Sequence, residues 1–157
     1  MKILVISDTH KNTECIMRAV RNNPDIGYIF HLGDHDTDLD VVRAEYPDKQ
    51  YYCVCGNNDY GCFSPTFGVV TLNSRTIFYT HGHLYGVNSS MRRLAMEAKK
   101  YNAEIALFGH THIPYADVVE SVHVFNPGSP SKPLGGSEAS YGIIELGEEM
   151  LFIHKSI

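Results

Sequence analysis

The chain has 157 residues, which at roughly 100–200 residues per domain makes one domain, 1–157, able to bury about two-thirds of its unfolded surface. Apolar residues make up 43% and charged ones 20%, which excludes a chain too polar to order. A net charge of −5 excludes a surface that gathers extended nucleic acid by counterion release, and no apolar run approaches the ~20 residues that cross a bilayer.

KILVIS (Lys2 to Ser7) is a short branched apolar run and reads as a buried strand. Asn12 or Thr13 can cap the helix that follows, whose Cys15, Ile16, Ala19 and Val20 share a face and which stops at Asn22-Asn23-Pro24. The unit repeats, with a strand over Gly27 to Leu32 and a helix over Thr37 to Tyr46. QYYCVC (Gln50 to Cys55) is a third strand, and this alternation argues for a layered α/β sheet. From Val69 the pattern changes: VVTLN and RTIFYT form a hairpin about Asn73-Ser74. Ser90 to Tyr101 is a helix, then come strands in EIALFG, ADVVE, HVFN, YGIIEL and LFIHK. The expected architecture is two mixed sheets packed face to face between helices. Asn126 to Ser137, rich in Pro, Gly and Ser, reads as a turn-forming loop.

Nine histidines are the unusual feature of the composition, and their positions carry the argument. Metal-ligating residues recur directly after predicted strands: Asp8-Thr9-His10, Gly33-Asp34, Gly56-Asn57-Asn58-Asp59, His81-Gly82-His83 and Gly109-His110-Thr111-His112. Ligand sites of open α/β sheets lie beyond the carboxyl ends of the strands, so these loops should converge. In an extended segment residues i and i+2 share a face, so Asp8/His10, His81/His83 and His110/His112 each form a half-site. Imidazole with carboxylate suits Mn²⁺, Fe²⁺, Co²⁺, Ni²⁺ or Zn²⁺ rather than Ca²⁺. Asp8, His10, Asp34, Asn57, His81, His110 and His112 are too many ligands for one ion and suit two that share a carboxylate. Singly, DTH and GD are ordinary turn or cap sequences; only their order with the histidine pairs is specific.

That order, D-x-H, G-D, G-N-x-D, H-x-H, G-H-x-H, resembles the calcineurin-like metallophosphoesterase superfamily and its short prokaryotic phosphodiesterase branch. The resemblance implies a four-layer α/β/β/α sandwich with two divalent ions, Mn²⁺ foremost, at one end of the sheets. Carried over by position, Asp8, His10 and His112 resemble the ligands of one ion and Asn57, His81 and His110 those of the other, with Asp34 bridging. The implied activity is hydrolysis of a small phosphodiester, by a hydroxide held between the ions attacking phosphorus in line. His83 is expected beside the centre with Asn58 at the substrate, and Asp59 is expected to orient Asn57 or a histidine. Many members carry histidine where this chain has Asn58; an amide cannot act as a general acid, and losing such a group costs ~10²–10⁴-fold.

The remaining features have plainer readings. The start, MKILVISDTH, meets Asp8 and His10 too early for a signal-peptide core, so the expected location is the cytoplasm, where Cys15, Cys53, Cys55 and Cys62 read as free thiols. His31, His123 and His154 read as satisfied core or surface residues, His35 as a phosphate contact or a solvated ring, and Arg92 and Arg93 as a solvated pair or a phosphate receptor. A homodimer is left open. The competing function is an interaction scaffold of the same fold, which has no physical need for a complete ligand set.

Overall fold

The computed structural model describes residues 1–157 and contains ten strands in two sheets. In the first, β1 (Lys2–Ile6), β2 (Tyr28–His31) and β3 (Gln50–Cys53) run parallel, β9 (Ser140–Leu146) pairs antiparallel with β1 and β10 (Met150–Ser156) antiparallel with β9, giving the order β10-β9-β1-β2-β3. In the second, β5 (Arg75–Thr80), β6 (Ile105–Leu107) and β8 (Val122–Asn126) run parallel, flanked antiparallel by β4 (Phe67–Leu72) and β7 (Tyr115–Val119).

Period-2 alternation builds the layers. Ile3, Val5, Phe30 and Ile144 of the first sheet pack between the sheets against Ile77, Tyr79, Leu107 and Phe125 of the second. The alternate residues Leu4, Ile6, Ile29 and Ile143 face outward onto α1 (Thr13–Arg21) and α2 (Leu39–Glu45). On the far side Phe78, Ala106 and Val124 meet Leu94, Ala95 and Ala98 of α3 (Arg92–Lys100). The fold is therefore the expected α/β/β/α arrangement. Each fully buried large side chain contributes about 1.5–3 kcal/mol, so the three cores together make it robust to single surface changes. No helix is long and apolar enough to cross a membrane.

Three local departures have physical causes. α1 begins as expected, with the Asn12 side chain accepting from the Cys15 N–H. The second helix opens instead with a tighter 3-10 turn over Asp36–Asp38, because the buried Asp38 carboxylate is drawn back to the Thr9 hydroxyl and the Lys11 N–H. β3 ends at Cys53, since the Cys55 N–H turns away to the Pro65 carbonyl. That return brings Cys62 against Cys55, and the two form a disulfide. The expectation of four free thiols is thereby corrected to two, Cys15 and Cys53.

Candidate metal centre

The parallel strands of both sheets deliver their carboxyl ends to one edge of the sandwich. There Asp8 follows β1, Asp34 follows β2, Asn57 follows β3, His81 follows β5 and His110 follows β6. The segments are not extended, however. Asp8, His10, Asp34, His110 and His112 all have φ between 47° and 67°. The shared-face argument for i, i+2 pairs is thus replaced: the left-handed kinks aim these side chains inward. Asp and His tolerate that conformation better than branched residues, and such kinks cluster at functional sites. Packing at the kinks leaves no spare room. A Cβ at Gly109 would lie 1.9 Å from Ser7 Oγ and 2.7 Å from Asp8 Oδ2, and one at Gly56 would lie 2.2 Å from Asp34 Oδ1.

One group brings the ligand atoms of Asp8, His10, Asp34 and His112 within 4.8 Å of one another. His10 Nε2 lies 3.2 Å from His112 Nε2 and 3.7 Å from Asp34 Oδ2, and His112 Nε2 lies 3.2 Å from Asp8 Oδ1. Beside it, His81 Nε2 is 3.4 Å from Asp34 Oδ1 and 3.1 Å from Asn57 Oδ1. Asp34 therefore stands between both clusters. His110 is placed differently: its ring centre is 5.2 Å from that of His81, and its Nε2 meets the Asn88 side-chain amide at 3.1 Å.

Proton positions follow from the partners. Nδ1 of His81 faces the Leu32 carbonyl at 2.6 Å, and Nδ1 of His112 faces the Lys132 carbonyl at 2.6 Å. A carbonyl only accepts, so each ring carries its proton on Nδ1 and, when neutral, turns the Nε2 lone pair toward carboxylate and amide oxygens. Asp8 Oδ1 is buried with no hydrogen-bond partner. Lone pairs facing lone pairs in a buried site repel unless a cation lies between them, so the donor set fits divalent metal. The Asp8 carboxylate raises His112 above the ordinary imidazole range. Burial pushes Asp8 itself upward, but His112 and His81 outweigh it and leave the carboxyl low. Burial lowers His10, His83 and His110, which favours the uncharged ring with one lone-pair nitrogen.

The supporting residues differ in part from expectation. Asp59 reaches neither Asn57 nor a histidine ring. Its carboxylate accepts the backbone N–H groups of Asp34 (2.9 Å), His35 (2.5 Å) and Gly56 (2.7 Å), clamping the β2 and β3 loops together. Asn58 donates from its backbone and its side chain to the two Asp34 oxygens. His83 sits in a short 3-10 turn with its ring centre 5.4 Å from that of His81 and a buried, unpartnered Nδ1. Arg92 is engaged by Glu120 at 2.9 Å.

Further contacts support the ligand loops. Ser129 and Ser131 donate to the Asp8 carbonyl, Ser131 also to that of Thr9, and Asn126 donates to the Gly109 carbonyl, so the Asn126 to Ser137 loop braces two ligand loops. Buried His31 accepts from the Gly33 N–H, which puts its proton on Nε2, 3.1 Å from the Thr9 hydroxyl; that hydroxyl donates to Asp38 at 2.7 Å. His154 is likewise satisfied, with its Nε2 on the Asn126 carbonyl.

Residues 1–149 match the calcineurin-like phosphoesterase superfamily domain. The probable metallophosphoesterase YsnB of Bacillus subtilis is 32% identical over 149 residues, covering 93% of this chain and 85% of that protein. The phosphodiesterase YfcE of Escherichia coli is 40% identical over 76 residues, 48% of this chain and 38% of that protein. A predicted phosphoesterase from Streptococcus pneumoniae superposes with a TM-score of 0.80 at 28% identity, covering 97% of this chain and 88% of that one. The chain belongs to the calcineurin-like phosphoesterase superfamily.

Proposed function

We propose that this chain is a metal-dependent phosphodiesterase of broad small-molecule specificity. The observation that carries the reading is the buried convergence of lone pairs from Asp8, His10, Asp34, Asn57, His81 and His112, which a pair of divalent ions would reconcile. Asp8, His10, Asp34 and His112 would hold one ion, and Asp34, Asn57, His81 and His110 the other, Mn²⁺ being the first to try. Bound there, such ions activate water and neutralise phosphoryl charge.

The chain's own residues supply position. Asp59 fixes the β2 and β3 loops and thereby Asp34, while the carbonyls of Leu32 and Lys132 hold the rings of His81 and His112 in the ligating tautomer. Asn88 donates its side-chain N–H to Nε2 of His110 and so fixes the orientation of that ring. Asn58 and His83 flank the place a substrate would occupy. Asn58 donates hydrogen bonds but cannot protonate a departing oxygen, so esters with good leaving groups are favoured. The net charge of −5 suits a small ester better than a polymer.

The test is hydrolysis of bis-p-nitrophenyl phosphate by wild type and Asp34→Asn with added Mn²⁺. The proposal expects turnover in wild type and a loss of at least a hundredfold in the variant; equal rates contradict it. An interaction scaffold of the same fold would give bound ions and no turnover.

A further inference from the structure

We infer that the cleft on the Asn58 side of the candidate metal centre recognises a neutral, planar aromatic ring carried by the phosphoester, of the nucleobase class. The inference rests on the phosphoesterase reading above and adds the class of group attached to phosphorus. The cleft has a volume of about 550 Å³ and is lined by His35, Thr37, Arg43, Asn58, Tyr60 and Phe63 among others, a size in the range of small-ligand sites. It is continuous with the centre: Asn58 is hydrogen-bonded to Asp34, and the His35 ring lies 5.6 Å from that of His10. A phosphoryl group at the ligand cluster would therefore extend its substituent into this space.

The lining selects the substituent. Phe63 and Tyr60 are the most exposed large apolar side chains of the protein, at 104% and 95%, and both line this one cleft. Aromatic faces in water beside an anion site are what a stacked base covers, and stacking accepts any base because every base has a π-face. Arg43, which also lines the cleft, lies over the Tyr51 ring at 5.5 Å and is tied to Asp40 at 3.1 Å and to Cys53 Sγ at 2.9 Å, so its guanidinium is held in place beside the space. Charge argues against a second phosphate in the same space. Asp36 and Asp59 also line it, and both carboxylates are already satisfied, Asp36 by the Ser64 hydroxyl and Asp59 by three backbone N–H groups. They would repel another anion and need no cation.

The loop is also held before any ligand arrives. The Cys55–Cys62 disulfide closes the segment that carries Tyr60 and ends next to Phe63, while the Asp59 clamp fastens its base. A recognition loop fixed in advance loses little conformational freedom on binding.

The experiment measures equilibrium binding of AMP, ribose 5-phosphate and inorganic phosphate to Mn²⁺-loaded protein by isothermal titration, in wild type and Y60A/F63A. Bound metal and circular dichroism are checked in both. The expected result is AMP binding about tenfold tighter than ribose 5-phosphate in wild type, with that ratio falling toward one in the double variant. Equal affinity for the two in wild type, or an undiminished ratio in a folded, metal-loaded Y60A/F63A protein, overturns the inference while leaving the phosphoesterase reading in place. Failure of all three phosphates to bind removes that reading and the inference together.

Discussion

Asp59 offers the sharpest test of how the centre is held. Asp59→Asn changes almost no volume, but the two carboxylate oxygens now accept three backbone N–H groups, from Asp34, His35 and Gly56. An asparagine has one acceptor oxygen. Placed where Oδ2 is, it keeps the Asp34 and Gly56 contacts without the charge, and its NH₂ then faces the His35 N–H, donor against donor. Hydrogen bonds to a charged acceptor contribute about 1.5–3 kcal/mol each. Losing one and weakening two should cost about 3 kcal/mol. For a domain of this size each kcal/mol moves the melting midpoint by about 2–4 °C, so a fall of about 6–12 °C is expected, together with weaker Mn²⁺ binding because Asp34 is no longer fixed. Differential scanning calorimetry of metal-free protein reads the first effect, with exposed Asp25→Asn as the control for lost charge. A midpoint within 2 °C of wild type would refute the clamp.

Three other outcomes are expected. Gly109→Ala should place a methyl group against Ser7 Oγ and Asp8 Oδ2, costing about 1–3 kcal/mol and displacing Asp8; wild-type Mn²⁺ affinity in a titration would contradict this. Burial pulls His31 down to about 4, so between that value and its unfolded value of 6.5 the unfolded chain binds the extra proton. The associated stability is complete above about pH 6.5 and is lost as pH falls toward 4. Denaturant titrations at pH 7 and pH 5 should show wild type losing about 2 kcal/mol more than H31N; parallel losses would count against it. Asn58→His should speed diesters with poor leaving groups more than activated ones, and equal acceleration in a substrate series would exclude the missing general acid as the limit on rate.

The strands were legible because apolar runs of branched residues such as KILVI and YIFH have one economical use, and the convergence of their polar ends follows from parallel pairing rather than from any single motif. The three-dimensional partners were less legible. Left-handed kinks at Asp8, Asp34 and His110 leave no periodic trace, since each is one residue in an unusual conformation. Ser129, Ser131 and Asn88 are small polar residues in loops, and sequence shows only that they favour turns, not which carbonyl or ring they will meet. The Cys55–Cys62 bond depends on where the chain goes after β3, which the Pro65 carbonyl decides. The sequence marks His31 as a satisfied core residue; it does not show that Thr9 links it to Asp38, joining the end of β2, the loop after β1 and the turn that opens α2.

The proposed activity requires the residues about Asp34 to hold two divalent ions. The direct measurement is metal bound per chain, by equilibrium dialysis of stripped protein against Mn²⁺ with elemental analysis, alongside turnover of bis-p-nitrophenyl phosphate and p-nitrophenyl phosphate in the same samples. The account predicts two ions per chain, turnover that appears as the second ion binds, and a faster diester than monoester. A single ion at saturation, or two ions with neither ester hydrolysed, would contradict it.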